Sequence, residues 1–174
     1  MSKSVFCIVK TRDQALGIVD RLREVGFTSS DISVLMPDKT GTRDFAHEHH
    51  TKAPEGTAAG AGTGAAIGGG LGWLAGIGAL AVPGLGPLIA AGPIMAALAG
   101  AAVGGTIGGL TGALIGLGIP EFEAKQYEGK IKSGNALISV HSEDSAEVAR
   151  AKEVFKSAGA EDIASTSEAT VGRR

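Results

Sequence analysis

Few residues in this 174-residue chain have a type and spacing suited to chemistry. His47-Glu48-His49-His50 is the one cluster that resembles a metal-binding set. It lacks the HExxH spacing that puts two imidazoles on one helix face, and it lies among turn formers and charges. It reads as a solvated linker. Cys7 stands alone within Val5-Phe6-Cys7-Ile8-Val9, a setting for a packed small hydrophobe rather than a nucleophile. His141 ends an apolar run and reads as structural. There is no GxxxxGK[ST] phosphate loop, and no Ser/His/Asp arrangement can be assembled from spacing. The chain reads as a non-enzyme, with no metal, no cofactor and no small-molecule substrate.

The strongest spacing belongs to glycine. Of the 28 glycines, most fall between Gly56 and Gly118, and no charged residue occurs from Gly56 through Pro120. Gly60, Gly64, Gly68, Gly72 and Gly76 recur every four residues. After the turn former Val82-Pro83-Gly84-Leu85-Gly86-Pro87, a second series runs through Gly92, Ala96, Gly100, Gly104, Gly108, Gly112 and Gly116. On a helix this period makes a small-residue groove along one face, the GxxxG packing mode of membrane helices. Large apolar residues line the same stretches, with Ile67, Leu71, Trp73, Leu74, Ile77 and Leu80 on one side of the turn. Leu98, Val103, Ile107, Leu110, Leu114 and Ile115 line the other, which separates both from a polar Gly/Ser linker.

Thr57–Ala81 and Leu88–Leu117 are each long enough, as helices, to cross about 30 Å of hydrocarbon. The expectation is a glycine-zipper helical hairpin over residues 57–118, inserted in the inner membrane and pairing to form a homo-oligomer. Lysines at 52, 125, 130 and 132 flank it, which places both termini and the rest of the chain on the cytoplasmic side. No secretory signal pattern opens the sequence, and the single cysteine gives no disulfide framework. The net charge of −2 gives no reason to expect a nucleic-acid partner, whereas lipid is the expected one.

The flanks must fold around that segment. Ser4–Lys10 reads as a buried strand, and Thr11 with Gln14 forms a capping box. Ala15, Ile18, Val19, Leu22 and Val25 follow at helical spacing, and Gly26 stops the helix. Ile32–Met36 is the second strand of this βαβ unit, residues 1–40. A polar linker, 41–56, leads into the hairpin. The C-terminal half, 119–170, opens with a helix over Pro120–Lys132 whose buried stripe reads as Phe122, Tyr127 and Ile131. Ala136–His141 is then a strand, Asp144 or Ser145 caps a helix ended by Gly159, and Ile163–Ser165 is a strand. Residues 171–174 form a tail. Val9, Thr11, Asp13 and Ala15 precede Val140, Ser142, Asp144 and Ala146 by 131 residues, although Gly26 and Gly159 miss that register. The fold class is therefore α+β: a ferredoxin-like βαβ…βαβ sandwich interrupted by a glycine-rich hydrophobic helical hairpin. The sandwich is expected to fold without the hairpin.

Thr51-Lys52-Ala53-Pro54-Glu55-Gly56, the stretch Gly-Pro-Ile-Met-Ala-Ala-Leu-Ala-Gly at 92–100, and Gly118-Ile119-Pro120-Glu121 with Glu123-Ala124 together resemble a bacterial family. It is that of general-stress and low-temperature-induced proteins with a heat-induced-stress-type α/β domain and a glycine-zipper centre. The resemblance spans nearly the whole chain, most specifically 51–124. It implies a stress-linked, membrane-associated role and carries over no catalytic residue. A structural or adaptor protein that self-associates through its zipper helices is the leading expectation. The alternatives are an oligomeric pore or leak, which would lack ionisable residues along its path, and a soluble oligomer that buries its hairpins in a common core.

Overall fold

The computed structural model describes residues 3–37, 78–82, 86–95, 98 and 109–167. Strand β1 is Lys3–Val9, helix α1 Arg12–Glu24 and strand β2 Ile32–Pro37. Strands β3, Gly78–Val82, and β4, Gly86–Ala91, follow, then helix α2, Gly109–Gly116, and helix α3, Glu121–Lys132. Strand β5, Ala136–Ser142, helix α4, Ser145–Ser157, and strand β6, Glu161–Ser167, complete the order. All strand pairs are antiparallel, in the order β3-β4-β2-β5-β1-β6. The chain is α+β.

The two outer thirds form for local reasons. Thr11 caps α1 by accepting a hydrogen bond from the Gln14 N–H at 3.1 Å, and the Gln14 side chain accepts one back from the Lys10 N–H. Asp144 caps α4 through the Ala146 N–H at 2.8 Å. Both helices end in the expected glycine, Gly26 at φ 100° and Gly159 at φ 70°, a left-handed conformation open to residues without a Cβ. β1 and β5 start at residues 3 and 136, and α1 and α4 at 12 and 145. The structural register is therefore 133 residues rather than 131, and the two glycines that missed the sequence register are the ones that keep it.

The sheet is covered on both faces. Val5, Cys7 and Val9 of β1, Ile32 and Val34 of β2, and Ile138 and Val140 of β5 face α1 and α4, where Ile18, Val19, Leu22, Ala151 and Phe155 are buried. The alternate residues Phe6, Ile8, Leu35 and Leu137 belong to a second core with Met95, Leu98, Leu110, Leu114, Ala124, Tyr127 and Ile131. β4 joins both, with Leu88 and Ala90 on this second side and Ile89 and Ala91 on the first.

That arrangement corrects the sequence reading of residues 57–118. The expected turn at Pro83–Pro87 is flanked by strands rather than helices, its last two residues belonging to β4, and β4 pairs with the edge of β2. Among the described residues no helix is long and apolar enough to cross a membrane. The transmembrane helical hairpin and the inner-membrane placement built on it are overturned. The physical reason is that Leu88–Ala91 is a short apolar run sandwiched between two helical layers, and such a run has no helical or strand periodicity of its own. Most of the glycine series, Gly60, Gly64, Gly68, Gly72, Gly76, Gly100, Gly104 and Gly108, lies outside the described residues. The buried stripe of α3 is also corrected. Ala124, Tyr127 and Ile131 are buried, whereas Phe122 is 79% exposed.

Gly92 belongs to the expected zipper series, yet its role here is different. At φ 92° it turns the chain off β4, and a Cβ there would lie 2.7 Å from Ser33 Cα and closer still to the Ile32 carbonyl oxygen. Gly26 has a similar φ but open space where its Cβ would be. Gly92→Ala should therefore cost about 3 kcal/mol or more, combining backbone strain and overpacking. Gly26→Ala should cost about 1 kcal/mol from backbone alone. Urea unfolding of both variants measures the difference, and equal losses would contradict the close approach of β4's exit to β2.

Candidate functional site

Two of the ten predicted interface glycines, Gly112 and Gly116, fall in the described residues, and both are on α2. On this helix Leu110 and Leu114 point into the second core. Gly116, two positions beyond Leu114, is exposed, and a Cβ on it would meet nothing within 4 Å. Ile115 beside it is 42% exposed, and across the Leu117-to-Pro120 corner stands Phe122. The core thus takes the large residues of the helix, and the end of the small-residue series is left on the outside together with two uncovered apolar side chains.

α2 is fixed by charge supplied from outside the uncharged segment. The Glu128 carboxylate of α3 accepts hydrogen bonds from the Thr111 N–H, at 2.9 Å, and from the Thr111 hydroxyl. Its other oxygen takes the Lys132 ammonium at 2.7 Å. Thr111 lies in the first turn of α2, where unpaired N–H groups and the helix dipole favour an anion. Partial burial pushes the Glu128 carboxyl upward, but the hydrogen bonds from Lys132 and Thr111 outweigh it and hold it below the ordinary 4.5.

α3 is likewise pinned to β6. Tyr127, its ring buried in the second core, donates through its hydroxyl to the Asp162 carbonyl at 2.9 Å. Burial, and then the charges of Glu123 and Asp162, push its phenol well up. Lys130 reaches Asp162 at 2.5 Å and Glu161 at 3.2 Å, and Lys10 reaches Glu161 at 2.6 Å. The hydrogen bond to Asp162 holds the Lys130 ammonium above its ordinary value, and that from Lys10 holds Glu161 below its own. Asp162 itself adopts φ 50°, and the β1–β6 register shifts between Phe6 and Ile8. This edge of the sheet is bulged and charged.

A polar row missed by the sequence reading crosses the second face of the sheet. Ser33 pairs with Ser139, Ser4 with His141, and Ser4 with Thr166. Ser33 Oγ accepts from the Ile94 N–H at 3.0 Å and so anchors the chain leaving Gly92. Ser4 Oγ and His141 Nδ1 lie 3.4 Å apart, while Ser139 Oγ and Thr166 Oγ1 are buried without a hydrogen-bond partner. The signal was present as single Ser or Thr positions within apolar runs, but strand registers were needed to align them. Cys7 is fully buried, and burial pushes its thiol far up, so it stays protonated. The His47–His50 cluster lies outside the described residues.

Comparison with family models, with curated proteins and with solved structures found no match to this chain.

Because the folded-state pKa of Glu128 is depressed, its contribution to stability is present above the ordinary carboxylate value and is lost as pH falls through the folded one. Stability should therefore drop as pH is lowered from about 5 toward 3, the range in which glutamate titrates. In Glu128→Gln that acid-side loss should be smaller. Thermal unfolding across this range checks it, and identical pH slopes in both proteins would contradict the Glu128 contribution.

Proposed function

We propose that this protein is a non-enzymatic structural or adaptor protein that self-associates through its uncharged, glycine-rich segment. The frame that carries the segment is read as a ferredoxin-like sandwich. In it β5 lies between β1 and β2, β6 flanks β1, and α1 and α4 share one face. The single observation carrying the proposal is that Gly116 and its neighbour Ile115 on α2 are exposed, while Leu110 and Leu114 are spent on the core. A small residue exposed on a helix leaves a place where another backbone can approach closely. The resemblance to stress-induced bacterial proteins supports a role in the stressed cell. Lipid is no part of this reading.

Sedimentation of the full chain over a range of concentrations tests the proposal. A species heavier than the 17.4 kDa chain is expected, and 17.4 kDa at every concentration would overturn it. Gly116→Leu places bulk in open space, so its thermal stability should be held or slightly raised by about 1 kcal/mol of helix propensity. Its self-association should weaken. Leu114→Ala should do the reverse, lowering stability by about 2–5 kcal/mol through a cavity in the second core.

A further inference from the structure

The two edges of the sheet differ in kind. β6 carries Glu161 and Asp162, is bridged by Lys10 and Lys130, and is bulged against β1, all devices that stop a strand from pairing further. β3, at the opposite edge, reads Gly-Ala-Leu-Ala-Val, with no charge, no proline and no bulge in its pairing with β4. Among the described residues β4 is the one strand that β3 pairs with.

Two prolines fix which backbone groups of β3 point outward. Pro87 opposes Ala81, and Pro37 opposes Leu88. Proline has no N–H, so each must occupy a non-hydrogen-bonded position of its ladder. Pairs alternate along an antiparallel ladder. Leu88 therefore bonds β3 rather than β2, and Gly78, Leu80 and Val82 are the β3 residues that bond β4. The two prolines give the same answer independently. Ala79 and Ala81 then turn both N–H and C=O away from β4, toward the side on which no described strand pairs.

We infer that this edge is the contact between two copies of the chain, paired antiparallel about a two-fold axis through Leu80. Such an interface is self-complementary, as two-fold symmetry requires. Ala79 exchanges backbone hydrogen bonds with the partner subunit's Ala81, and Ala81 with the partner subunit's Ala79, while the two Leu80 residues form the non-hydrogen-bonded pair on the axis. No like charges meet across it. The inference rests on the self-association reading and adds, within the same uncharged segment, a second contact to the one on α2.

Hydrogen exchange of the full-length protein, read at Ala79 and Ala81 with concentration, tests it alongside sedimentation. Among the described residues nothing bonds these amides, so they should exchange fast in the monomer even though β3 is folded. On association they should slow by about a hundredfold or more, while Leu80 is protected throughout. Fast exchange of Ala79 and Ala81 in a sample shown to be associated would overturn the inference and leave self-association standing. Protection independent of concentration would also overturn it, because the edge would then be covered within one chain. A protein that stays at the monomer mass removes the parent reading as well. The variant Ala79→Pro/Ala81→Pro deletes the outward donors at positions where β4 needs none. It should keep its unfolding temperature and bind itself at least about tenfold more weakly. A folded double variant that associates like the parent would count against the edge.

Discussion

Successive side chains of a strand point to opposite faces, so a strand in which every residue is apolar needs cover on both sides. β1 has this character from Val5 through Val9, with every one of those residues buried. β2 and β5 share it, relieved by Ser33 in the one and by Ser139, His141 and Ser142 in the other. Two helices, α1 and α4, can cover one face. Without a third layer Phe6, Ile8, Leu35 and Leu137 would face water, at about 2 kcal/mol for each large side chain left uncovered. The rest of the molecule follows from that need. β4 widens the sheet, Met95 and Leu98 turn back over it, and α2 and α3 close the second face.

The described part of the uncharged middle, from residue 88 to 95, at 98 and from 110 to 119, is therefore apolar for the reason a protein interior is apolar. Its ends are tied down by charge from elsewhere. Glu128 satisfies the start of α2, and Lys130 with Tyr127 holds α3 against β6. Serine is used sparingly for the same purpose. Ser33 takes the Ile94 amide as the chain leaves the sheet at Gly92, where a side chain would collide with β2. What the core leaves over is uncharged: the exposed Gly116 and Ile115 of α2, the exposed Phe122 of α3, and the backbone of β3 at the edge of the described sheet.

Much of the frame was legible because its signals are local. Thr11 and Gln14, Asp144, Gly26 and Gly159 mark helix ends by hydrogen bonding and by φ, and these need no distant partner. β3 and β4 were not legible as strands. Glycine-rich apolar sequence has no period that separates helix from strand, and pairing with β2 across more than fifty residues of sequence decided it. A clue did exist in the flanks. Val5–Val9 and Ala136–Val140 do not alternate polar with apolar, as a two-layer sandwich would ask, and so already called for a second cover. Phe122 failed for a simpler reason. One position on α3 decides between core and solvent, and the smaller Ala124 took the buried place. Of the predicted interface, Gly112 and Gly116 fall among the described residues, Gly116 exposed and Gly112 half-buried.

The described part of the uncharged segment is a structural layer of this domain rather than a separable insertion. Replacing residues 57–118 with a short Gly/Ser linker tests it most directly, with near-ultraviolet circular dichroism and binding of a hydrophobic dye as readouts. The account predicts lost side-chain asymmetry, strong dye binding and no cooperative unfolding, because the second face of the sheet is bared. A shortened protein that binds no dye and unfolds cooperatively near the parent temperature would contradict it.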